Sequence, residues 1–188
     1  MAISAPTIRP EIQDAIEQLQ DSSRKVEKLF SKLGMQQLTR RPDTGKWSIT
    51  EHVAHLTLTS KAYDPLFDEA FARARRENLT GGDYSMELMP RLLKWYLEPP
   101  FRSKVKTPPE FVPAHDVDPP ADVLRTFLGY QEKLEAHFRE ASLWDLGRLK
   151  IKSPFAKQVQ YNLYSAIQLI LAHERRHVWA AEQLGERV

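Results

Sequence analysis

"LYSAIQLILAHERRHVWAAEQL" (163–184) holds the most regular pattern in this sequence of 188 residues. Leu163, Ala166, Ile170, His173, His177, Ala180 and Leu184 follow one another at steps of 3, 4, 3, 4, 3 and 4. That spacing lines one face of an α-helix and turns it towards a helix-bundle core. It predicts a helix over about 159–184. Two seam positions hold histidine where the pattern calls for an apolar side chain. Four residues apart, His173 and His177 project from one face a turn apart, which suits two imidazoles on one cation. As plain core residues, each would need its ring nitrogens satisfied, and their mutual repulsion would oppose protonation. A metal ion answers both demands.

His173-Glu174-Arg175-Arg176-His177 also matches H-E-x-x-H, the zinc signature of a class of metalloproteases. That class takes its third ligand downstream. Here position 183 is Gln, position 180 is Ala where a glycine belongs, and no further ligand follows in the sequence, so a protease is not expected. Glu174 is the candidate catalytic base by analogy, yet it lies about 100° around the helix from the ligand seam. A supporting or salt-bridging role competes with it. Arg175 and Arg176 are expected to face solvent, with Arg176 within reach of a substrate anion.

A third ligand is available upstream, in "WSITEHVAHL" (47–56). Ser48 and Glu51 form a capping box that starts a helix, each satisfying an otherwise orphan backbone N–H. His55 shares a face with Leu58, Ala62 and Leu66 and is expected to point inwards; His52, nearer the boundary, is an alternate ligand. If this helix and the last are antiparallel, His55 and the His173/His177 pair both lie on the order of 10–14 Å from the same bundle end. Three imidazoles would leave coordination positions open for water or substrate.

The remaining pattern is helical too. Ile12, Ile16, Leu19, Val26, Leu29, Phe30 and Leu33 mark a helix over about 10–34. The capped helix runs over about 48–78, stopped by Gly81 and Gly82. Val123, Leu124, Phe127, Leu128, Leu134 and Phe138 mark another over about 121–142. No period-two strand stands out. A short helix is expected around 86–97, followed by an extended stretch in which seven of the thirteen prolines lie between Pro99 and Pro120. That connection is long enough to cross a bundle, so the helices it joins are expected to run parallel, whereas short loops favour antiparallel neighbours. The expectation is an all-α, single-domain chain (1–188): a four-helix bundle, up-down-down-up, with a long Pro-rich crossover between its second and third helices. Trp47 and Trp179 are expected to pack, His137 to sit at a solvent edge, and the loop residues His115 and Asp116 to lie at the surface or line a pocket.

Composition narrows the function. The absence of cysteine rules out disulfides and thiolate ligands, so a metal must rest on His, Asp or Glu. A net charge of +2, with only short basic runs at 40–41 and 73–76, does not predict nucleic-acid binding. No apolar run reaches the ~20 residues of a membrane span, and the first residues lack a secretory apolar region, so a cytoplasmic location is expected.

Trp47-Ser48 followed by His55-Leu56, with His173 and His177 on the last helix, resembles the DinB-like (YfiT-type) superfamily of four-helix-bundle metalloproteins. The resemblance covers nearly the whole chain. It implies His55, His173 and His177 as metal ligands, a divalent ion such as Zn or Ni as cofactor, and a homodimer. It also implies a reaction on a small molecule: hydrolysis, or transfer of a low-molecular-weight thiol cosubstrate onto an electrophile. The alternative is a non-catalytic metal- or ligand-binding stress-response protein. The chain departs from the pattern where "TLTSKAY" (57–63) replaces an acidic residue after His-Leu, and where Ala180 replaces a frequent Gln.

Overall fold

The computed structural model describes residues 8–43, 45–102, 106–114, 118–156 and 158–187. Among the described residues six α-helices dominate: α1 (Pro10–Lys32), α2 (Met35–Thr39), α3 (Ile49–Glu77), α4 (Leu88–Leu97), α5 (Pro120–Ala141) and α6 (Leu163–Gly185). A 3-10 turn, Pro109–Phe111, lies within the Pro-rich connection. None of the described helices is long and apolar enough to cross a membrane.

The four long helices pack side by side, α1 and α3 each against α5 and α6, while α4 lies along α6. Cross-helix bonds fix their heights. Gln20 meets Glu135, Gln18 meets Arg175, and Lys133 and His137 both meet Asp64. Aromatic and branched side chains fill the largest core cluster, which includes Ile12, Ile16, Phe67, Phe71, Phe138 and Tyr161. Smaller clusters of Val53, Leu56, Phe127 and Val178, and of Leu38, Ile49 and Ala181, flank the second half of α6. Members of both basic runs form ion pairs, Arg41 with Glu51, Arg73 with Glu77 and Arg75 with Glu140.

The capped helix ends about where expected, while other features differ, each for a local reason. The capped helix ends at Asn78, whose left-handed backbone (φ 51°) closes α3 before Gly81 and Gly82 are reached. The last helix starts at Leu163, because Asn162 caps it by accepting the Ser165 N–H at 2.8 Å. Just before it, Gln160–Asn162 pairs antiparallel with Lys150–Lys152, so the chain has a small two-stranded sheet, β1 and β2, where none was expected. Glu87 ties this sheet to the start of α4, accepting the Asn162 N–H at 2.7 Å and pairing with Lys150. The buried face of α3 is also rotated: Leu56, Thr59, Ser60, Tyr63 and Phe67 are buried, while Leu58, Ala62 and Leu66 are half-buried. His55 still falls on the buried side.

Candidate metal centre

The site begins with the start of α3. Ser48 Oγ accepts the Glu51 N–H at 3.2 Å, and Glu51 Oε2 accepts the Ser48 N–H at 2.8 Å, so the expected capping box is formed. Arg41 then clamps Glu51 from the preceding loop, its Nε donating at 2.8 and 3.0 Å. Burial alone would raise the Glu51 carboxyl, but the bonds from Arg41 and Ser48 outweigh it and hold it below the usual carboxylate range. This rigid start fixes the rotation of the helix and therefore the direction of His52 and His55.

One nitrogen from each of His55, His173 and His177 lies within 4.8 Å of the other two. The ring centroids of His55 and His177 are 4.5 Å apart, as are those of His173 and His177. The structure thus brings together residues separated by more than a hundred positions in the chain. His55 Nδ1 stands 2.7 Å from the carbonyl oxygen of Phe111. A carbonyl only accepts, so this nitrogen carries the proton and His55 Nε2 keeps its lone pair. That Nε2 is 3.1 Å from His173 Nε2. His52 stands behind the group, its Nδ1 3.0 Å from His177 Nδ1.

Electrostatics favour neutral rings. Burial pushes His52 and His55 down to about 4, aided at His52 by the neighbouring His55. His173 and His177 lie well below the ordinary value, again through burial and then through their histidine neighbours. Three neutral imidazoles converging on one point, all donors of nitrogen lone pairs, fit a borderline divalent cation such as Zn or Ni. The donor set therefore suits such an ion by its own chemistry.

Aromatic rings enclose the group. Trp47 packs against His52, His55 and His177 at centroid distances of 5.5, 4.8 and 5.8 Å. Phe155 approaches His173 at 5.8 Å and packs at a tilt against Phe111 at 4.6 Å. The hydroxyl bond between Tyr63 and Tyr161, 2.8 Å, lies deeper in the core.

Other residues singled out in the sequence stand elsewhere. Glu174 is buried and accepts a hydrogen bond from Gln131 Nε2 of α5 at 2.9 Å. Arg176 is buried rather than solvent-facing, its guanidinium 4.1 Å from the Phe101 ring centroid. Arg175 is likewise engaged, pairing with Glu98 at 2.6 Å. Both arginines are drawn in because α4 and the residues after it cover that side of α6. His137 is mostly covered instead of lying at a solvent edge; it bonds Asp64 at 2.7 Å and stacks on Phe67 at 5.0 Å. Trp179 packs on Phe101 at 5.0 Å. His115 and Asp116 lie outside the described residues. Reading the sequence missed the Phe111 carbonyl, which no side-chain motif could announce, because a backbone oxygen does the work.

Helices meeting at a cluster of inward histidines define a class: a helical protein with a three-histidine group that could hold a metal ion. The match of residues 18–181 to the DinB superfamily model places the chain within that class, and the chain belongs to the DinB superfamily. No curated protein and no solved structure matches it.

Proposed function

We propose that this protein is a divalent-metal-dependent DinB-like enzyme whose centre is held by His55, His173 and His177, with Zn or Ni as the ion. The carrying observation is the convergence of three neutral ring nitrogens within 4.8 Å of one another. Bound there, the ion supplies Lewis acidity to an oxygen or a sulfur of the substrate. The chain's own part is to orient and enclose. Phe111 O holds the His55 ring, Trp47 and Phe155 wall the group, and burial keeps the rings unprotonated.

Two reactions fit this centre: hydrolysis of a small molecule, and transfer of a low-molecular-weight thiol cosubstrate onto an electrophile. Glu174 is the carboxylate that hydrolysis would recruit as a base, and its bond to Gln131 supports a structural duty for it instead. Thiol transfer needs no such base, because coordination alone favours the thiolate. We therefore favour thiol transfer. The same observation keeps a second reading in view, a non-catalytic metal- or ligand-binding bundle.

We read the chain as one domain with its long helices up-down-down-up. Contacts of Gln18 with Arg175 and of Gly185 with Leu29 support parallel α1 and α6. Those of Asp64 with Lys133 and Arg75 with Glu140 support parallel α3 and α5. A homodimer in the cytoplasm acting on a small molecule completes the reading, with sedimentation checking the dimer.

The test is metal content of untagged protein, followed by turnover of a thiol cosubstrate with a model electrophile, and of an ester and amide panel. Stoichiometric metal with turnover abolished by His55→Ala is the expected result. Stoichiometric metal with no turnover above the His55→Ala control selects the binding role, and absence of metal rejects the centre.

A further inference from the structure

His52 is the fourth histidine at the site, and it stands apart from the three that converge. It lies three residues before His55 on α3, and its Nδ1 is spent on His177 Nδ1, 3.0 Å away. Two imidazole nitrogens at that distance share one proton: one ring donates and the other accepts. The choice between them is set by the rest of the cluster. His55 donates its Nδ1 proton to Phe111 O, so it offers Nε2. For His177 to offer a lone pair as well, without giving up its bond to His52, its proton must sit on Nδ1 and its lone pair on Nε2. The Nδ1–H then points at His52.

We propose that His52 is the positioning residue of His177, accepting the His177 Nδ1–H at its own Nδ1 and so presenting His177 Nε2 to the point shared with His55 and His173. The inference rests on the metal-centre reading above. In this arrangement the outward nitrogens of two ligands have partners of different kinds, a backbone carbonyl for His55 and a neutral imidazole for His177. Such outer partners fix the ring rotation and the tautomer, and their loss costs metal affinity without removing a ligand. Trp47 lies against both rings and holds the pair together, with centroids 5.5 Å from His52 and 5.8 Å from His177. His52 also has the backbone to do this. It sits in the first turn of a helix whose start is locked by Ser48, Glu51 and Arg41, so its ring has a fixed origin.

The role requires an acceptor at the His52 Nδ1 position and nothing else of the ring. His52→Asn keeps an acceptor there, because its side-chain oxygen falls near the ring Nδ1; His52→Leu removes it at similar bulk. Zn(II) affinity is measured for the wild type and both variants by competition with a chromogenic chelator, with circular dichroism to verify the fold. Long-range nitrogen-15 NMR of the Zn(II)-loaded wild type reads the tautomers. His52→Leu should weaken Zn(II) binding about 10–100-fold, and His52→Asn should restore most of the loss. The spectra should show His177 protonated at Nδ1 and metal-bound through Nε2, with His52 protonated at Nε2.

Unchanged affinity in His52→Leu overturns the assignment, as does His52→Asn binding as weakly as His52→Leu. A metal-bound His177 Nδ1, or a metal-bound His52, overturns it as well. If His52→Leu does not fold, the Asn variant and the tautomers decide. A wild-type protein that binds no Zn(II) rejects the metal centre itself and this role with it, whereas tight wild-type binding indifferent to His52 rejects the role alone.

Discussion

Glu174 enters the core as a carboxyl with half of its hydrogen-bonding capacity unmet. Its Oε1 accepts from Gln131 Nε2, while its Oε2 and the Gln131 Oε1 are both buried without a partner. A proton on Glu174 would let the carboxyl donate to the amide oxygen and close the pair. Burial pushes the group in that direction, up to about 7. The sign follows: a folded-state value above the unfolded one of 4.5 contributes stability below pH 4.5, which is lost as pH rises through about 7. Glu174→Gln removes that loss. It should stabilise the protein at pH 8 by up to about 3 kcal/mol, with no gain at pH 4 and unchanged Zn(II) affinity, read by urea unfolding and chelator competition. A collapse of metal binding in this variant would contradict the structural duty assigned to Glu174. At the other carboxylate, Arg41→Ala leaves Glu51 buried without its cation and should cost about 1–3 kcal/mol at pH 7. That cost should shrink at low pH, where Glu51 is neutral; a pH-independent loss would point to lost packing of Arg41 instead. The three converging histidines were legible because spacing reports which face of a helix a residue occupies. The facing of Glu174 was not, since the partner that orients it sits on a helix forty residues away in sequence.

The elements were legible in their periodicity and least so at their ends. Apolar spacing and the capping box at Ser48 located all four long helices, whereas Asn78, whose backbone closes α3, and Asn162, whose side chain opens α6, act through local geometry that apolar spacing does not register. Strands of three residues are too short for alternation to show, and Lys150–Lys152 is held by its pairing and by Glu87 rather than by its own propensity. Pro65 is the element-scale anomaly. It stands inside α3 with its side chain exposed, and its missing N–H leaves the Lys61 carbonyl without the usual helical donor. Because little packing is lost with an exposed ring, Pro65→Ala should restore the bond and stabilise α3 by about 1–3 kcal/mol. Thermal unfolding checks this, and an unchanged or lower Tm would contradict it.

At the scale of the whole molecule, the histidine cluster joins parts that the chain keeps far apart: α3, the 3-10 turn through Phe111 O, and α6. A cation held there would bind the folded protein and not the unfolded one, so its affinity adds to stability by mass action. With free Zn(II) at a hundred times its Kd the gain is about 2.7 kcal/mol, or a Tm rise of roughly 5–10 °C for a chain of this size. The same cluster sets the acid limb. His52 and His55 are pushed down to about 4 from 6.5, so the stability they contribute is full above about pH 6.5 and lost as pH falls through about 4. Zn(II) competes with protons for these nitrogens, so the ion should shift acid unfolding to lower pH. The variants separate this coupling from ordinary packing. His55→Ala should lower the basal Tm, as truncation of a buried ring does, and also abolish both the Zn(II)-dependent rise and the shift of the acid limb. A Zn(II) effect that survives His55→Ala and His177→Ala would place the ion somewhere other than the junction of these elements. Basal stability alone cannot make that distinction, because removing a buried ring from a packed seam is costly whatever the ring was holding.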